Sequence, residues 1–134
     1  MSFSAAIKNA QTSVPECVAV GYVDMTTGML LDVTTVDSHP SEVLDLVAAA
    51  TADLFQGPSV TAIEKLFRKS RGQVEDGHHY FQEMLIFSEN LLHLFMRSTK
   101  DTSHAAVFVC RGSVNIGMAL SKARAAMKVL QEAI

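Results

Sequence analysis

The stretch FQEMLIFSENLLHLFMRS, residues 81 to 98, constrains the fold more than any other part of the chain. It reads as two strands, 79–87 and 91–98, about a tight turn at Glu89-Asn90, and both faces of each are apolar. In the first strand Tyr80, Met84 and Ile86 share one face, and Phe81, Leu85 and Phe87 share the other. In the second, Leu92, Leu94 and Met96 oppose Leu91 and Phe95. An antiparallel hairpin with one wet face alternates apolar and polar residues. This one does not, so the sheet that holds it needs a layer of helices on each side.

The rest of the chain supplies those helices. Phe3, Ala6, Ile7 and Ala10 mark a helix over 3–12, ended by Pro15. CVAVGYVDMTTGMLLDVTTV follows as a second hairpin, 17–37, closed at Thr26-Thr27-Gly28. Ser41, after Pro40, is placed to cap a long helix with Glu42 and Asp45 in its first turns. Its stripe is Val43, Val47, Ala50 and Leu54, widened by Leu44, Ala48 and Phe55, and its many alanines permit close approach of another helix. Gly57-Pro58 breaks it. Ser59 is the cap expected for a short helix with Val60, Ile63 and Phe67 on one side, before a polar loop over 68–77. A third C-terminal strand, 104–110, and a helix from Asn115 complete the chain. That helix carries a seam of Ile116, Leu120, Ala123, Met127, Leu130 and Ile134, and a flat row of Ala119, Ala126 and Ala133. The order α-β-β-α-(α)-β-β-β-α describes one α+β domain over 1–134, a five-stranded antiparallel sheet between helices.

A long apolar edge strand invites pairing with another chain unless charge, proline or cover blunts it. Residues 79–87 hold one charge, Glu83, and no proline. If this strand lies at the sheet edge, pairing with its twin in a second copy is the natural outcome, giving a symmetric homodimer. The expected interface is Tyr80, Gln82 and Met84 on the strand with Leu44, Ala48 and Phe55 on the long helix. The alternative is that the short helix folds over the edge.

This order of elements resembles that of the roadblock/LC7 family over nearly the whole chain. The resemblance implies a five-stranded sheet between helices and dimers joined through the third strand and second helix. It also implies scaffold or regulatory roles, in bacteria often beside small Ras-like GTPases, with no shared catalytic residues. The segment QGPSVTAIEKLFRKSRGQVEDG, 56–77, departs from the pattern as an inserted helix and loop.

Chemistry-bearing motifs are few. The expected registers put His79 and His104 on one side near one end of the sheet, with Ser98 between and His93 near the other end. Two histidines fall short of the three or four ligands a metal takes, so no metal or catalytic residue is assigned. CRGSVNIGMAL, 110–120, is the best candidate for an anion, through Arg111, Ser113 and Asn115 at a helix start. Lys65, Arg68, Lys69 and Arg71 suit an acidic partner or simply a solvated helix end. Cys17 and Cys110 read as buried thiols in a reducing, cytoplasmic setting. The net charge of −3 argues against nucleic acid, and no apolar run reaches the ~20 residues that span a bilayer. The chain is therefore expected to be a non-enzymatic homodimeric regulator or adaptor without a cofactor or membrane insertion, with a small GTPase or other protein as partner. The other readings are a small-ligand or anion sensor and an enzyme using His79 and His104.

Overall fold

The computed structural model describes residues 2–37 and 41–134, with side chains from 44 onward in the second segment. The cap and first-turn roles of Ser41 and Glu42, and the stripe position of Val43, lie outside the described residues. Helix α1 (Phe3–Ser13) leads into strands β1 (Cys17–Asp24) and β2 (Met29–Thr35). Helices α2 (Ser41–Gln56) and α3 (Pro58–Ser70) come next, then β3 (Glu83–Phe87), β4 (Leu91–Arg97), β5 (His104–Arg111) and α4 (Ile116–Ala133). The five strands form one antiparallel sheet in the order β2-β1-β5-β4-β3.

Local chemistry sets several boundaries. The Ser2 hydroxyl caps α1 by accepting from the Ala5 amide, and the Asn115 side chain caps α4 by accepting from Met118. Gly28 takes φ +71° in the β1–β2 turn, a conformation that costs glycine little. Helix α3 begins one residue earlier than its expected cap at Ser59. Gly57 is the N-cap and Pro58 the first helical residue, where a missing amide hydrogen is harmless. A Cβ on Gly57 would stand 2.6 Å from the Asp53 carbonyl oxygen, so only glycine passes between α2 and α3.

Helices α1 and α4 cover one face of the sheet. Ile7, Ala10, Ala119, Ala123 and Leu130 pack on Tyr22, Leu94, Met96 and Phe108. The alanines keep the two helices close enough to share that core, while Ile116 and Ile134, at the ends of the expected seam, stay exposed. Helix α2 covers the other face through Ala48 and Phe55, which meet Val23, Phe95, Ala105 and Val107. Its buried line runs through Ala48, Thr51 and Phe55, so the expected stripe is rotated: Val47 and Ala50 face solvent. Two-sided cover holds for β4 and β5 but not for β3, where Leu85, Ile86 and Phe87 remain exposed. The reason is geometric. α4 and α2 sit over the middle of the sheet and reach β3 only at its start, through Glu83 and Met84.

Candidate interaction surface

Strand β3 ends the sheet. It pairs with β4 from Glu83 opposite Met96 to Phe87 opposite Leu92. The Arg97 amide donates to the Gln82 carbonyl and the Ser88 amide to the Leu91 carbonyl, so even-numbered residues make the β4 bonds. By the alternation of an antiparallel ladder, Glu83, Leu85 and Phe87 turn their N–H and C=O groups to the open side. Leu85 is 38% exposed and Phe87 60%. Arg124 of α4 clasps Glu83 through Nε at 2.9 Å and Nη2 at 2.7 Å, which draws the Glu83 carboxyl below its ordinary range.

The expected interface residues divide. Met84 packs partly into the core under α2. Gln82 is exposed, continues the β4 register through its carbonyl, and donates from its side chain to the His79 carbonyl. Tyr80 precedes the strand, half-exposed, with its amide bound to Glu64 and its ring under Arg68. Regular β structure thus begins at 83, not 79, because Glu64 of α3 draws His79 and Tyr80 away from the sheet. Ala48 and Phe55 are corrections. Both are fully buried against the sheet of their own chain and cannot touch a partner, and Leu44 is half-buried. The outward face of α2 carries Leu46, Val47, Ala49 and Ala50 instead, with Leu46 at 70% exposure.

A buried polar joint ties α3 and the strand edge to the domain. Glu64 accepts from His79 Nδ1 at 2.9 Å and from the Tyr80 amide. Arg68 pairs with Glu75, donates to the His78 carbonyl at 2.6 Å, and is 3% exposed. That ion pair holds the Glu75 carboxyl below its ordinary range. Arg97 is the third member. It donates to the carbonyls of Phe55, Phe81 and Thr102 and to Gln56 Oε1, and sits over the Phe55 ring. The charges of Glu64 and Arg68 stand one helical turn apart in the sequence, and Arg68 reads there as part of a solvated helix end. Arg68 is therefore no part of an exposed cationic run.

The histidines have separate partners. His79 is bound to Glu64, whereas His104 meets Asp101 at 3.4 Å and the Tyr22 hydroxyl at 3.4 Å. The same-side placement expected for them, with Ser98 between, does not form, because Glu64 of α3 holds His79 away from the sheet. His93 stacks on Phe95 and bonds Ser88, and burial pushes its pKa down. Among the described residues, no three His, Cys, Asp or Glu side chains converge as a metal site requires.

The expected anion cradle also separates. Ser113 donates to the Glu16 carboxylate, a neighbour hostile to an anion, and Asn115 is used as the helix cap. Arg111 instead lines an apolar cavity of about 460 Å³ on the α2 face with His93, Val23, Val107 and Val109. Cys17 and Cys110 oppose each other across β1 and β5, both buried and free. Hydrogen bonding with Cys110 and burial push the Cys17 thiol far above its ordinary range, which makes it a poor nucleophile.

No protein-family model matches the sequence, nor does any curated protein. Solved structures do match the fold. The Myxococcus xanthus MglB is 15% identical with a TM-score of 0.69, over 97% of this chain and 92% of that one. MglB in a tetrameric arrangement is 16% identical, TM-score 0.70, over 98% and 90%. A roadblock/LC7 domain from Streptomyces avermitilis is 11% identical, TM-score 0.67, over 98% and 97%. The chain has the roadblock/LC7 fold.

Proposed function

We propose that the protein is a non-enzymatic regulator or adaptor that works as a homodimer, with a small Ras-like GTPase as its class of partner. The observation that carries the dimer is the unpaired β3 edge, with Leu85 and Phe87 offering both backbone groups and exposed apolar side chains. A second copy satisfies that edge by antiparallel pairing about Leu85, and the outward Leu46 and Val47 of α2 extend the contact. The roadblock/LC7 likeness supports the regulatory role and the GTPase class. One of the similar structures, MglB, is described as a tetrameric arrangement, so self-association accompanies the fold in that protein.

Leu85→Pro tests this directly. Residue 85 makes no ladder bond to β4, so proline there removes a donor only from the open edge. Light scattering should give twice the chain mass for the wild type and a single chain for Leu85→Pro. A monomeric wild type rejects the dimer, and a dimer indifferent to Leu85→Pro moves the interface elsewhere. Retention of a GTPase on the immobilised wild-type protein, from lysate of the native host, tests the partner class.

The cavity beside Arg111 favours one other reading, a small-ligand sensor. A rise in Tm with octanoate that Arg111→Ala abolishes would mark it.

A further inference from the structure

Helix α3 is amphipathic in the reverse sense for a helix on a protein surface. Its buried residues are Glu64 and Arg68, while Ile63, Leu66 and Phe67 are exposed at 44%, 64% and 51%. The rotation is imposed by the polar joint. Glu64 is fixed by His79 and the Tyr80 amide, and Arg68 by Glu75 and the His78 carbonyl. With the polar side locked inward, the apolar residues project outward over an arc of about 100°. Leaving three large apolar side chains in water opposes the hydrophobic effect, so the face calls for an occupant.

Charge selects the occupant. The only acid on α3, Glu64, is buried, and Glu75 and Asp76 of the following loop are drawn onto Arg68. The exposed charges left on α3 and its C-cap are Lys65, Lys69 and Arg71. At helical spacing Lys69 stands beyond one border of the apolar arc and Arg71 beyond the other, while Lys65 lies further round the helix. An apolar arc edged by long cationic side chains is the pattern of a helix lying in a bilayer interface, its cations reaching the headgroups. Packing α3 on its twin would set these cations against one another, which disfavours a second copy as the cover.

We propose that α3 docks on an anionic lipid surface, lying along it. No helix among the described residues is long and apolar enough to cross a membrane, so the contact is peripheral.

The test is flotation of the full-length protein with vesicles of phosphatidylglycerol and phosphatidylcholine in equal parts, against phosphatidylcholine alone. Binding is expected only to the anionic vesicles, falling as salt rises. Lys69→Gln with Arg71→Gln should weaken it roughly 25-fold, about five-fold per cation. Leu66→Ser with Phe67→Ser should weaken it further at unchanged circular dichroism. Failure to float with anionic vesicles refutes the proposal, as does equal binding to both lipids or indifference to both pairs of changes. Loss of self-association in the serine variant without any flotation would assign the face to another copy and equally end it. The mass of Leu85→Pro is read separately, so the dimer and the lipid contact can fail independently.

Discussion

Arg97 closes β4 with its guanidinium buried and its charge spread over three carbonyls and the Gln56 side-chain oxygen. Burial lowers its pKa, but a guanidinium starts so high that it stays charged. It ties the end of α2 to the approach to β3 and to the β4–β5 loop, so removing it takes the donor from four acceptors at once, the buried Phe55 carbonyl among them. Arg97→Ala should cost about 3 kcal/mol in urea unfolding. Glu83 is the opposite kind of residue, a partly exposed acid whose folded pKa is depressed by Arg124. A depressed carboxyl pKa stabilises the fold above the unfolded value, near 4.3, and that contribution is lost as pH falls through the folded one. Stability should therefore decline in acid below about pH 4.3, and Glu83→Gln should both lower the neutral plateau and shallow that decline, so that the two proteins converge in acid. A pH series of Tm values for the two proteins checks it.

At the scale of elements, α2 shows what helical spacing can and cannot say. Its width of apolar surface is plain in the sequence, but Val47 and Phe55 both belong to that surface, and only one side reaches the sheet. Phe55→Ala should cost about 3–5 kcal/mol because it opens a cavity against Phe95 and Arg97. Leu46→Gln should shift stability by no more than about 0.5 kcal/mol while weakening self-association. The contrast, read by urea unfolding and light scattering, separates the inner from the outer side of α2. For α3 the stripe of Ile63 and Phe67 was legible, yet its direction was not. Glu64 and Arg68 look like solvated charges until residues 75–80 are folded back onto them. The hairpin register, by contrast, was readable in advance: Glu89-Asn90 as the turn gives 81 opposite 98, in line with Glu83 opposite Met96.

Over the whole molecule, the sequence by itself determined the order of elements and the need for helices on both faces of the sheet, and it marked residues 79–87 as short of charge and proline; the structure placed β3 at the edge and left it outside the two-sided cover. What the sequence determined follows from periodicity and composition along the chain, because a strand apolar on both sides leaves few alternatives. Only the tertiary structure decided which arc of α2 faces inward, that His79 and Tyr80 leave the sheet for α3, and that Arg111, Ser113 and Asn115 serve three separate purposes. These are matters of distance between residues remote in sequence. Each turns on whether a buried polar atom finds a partner, and a side chain's own chemistry states the need for one without saying which one it meets.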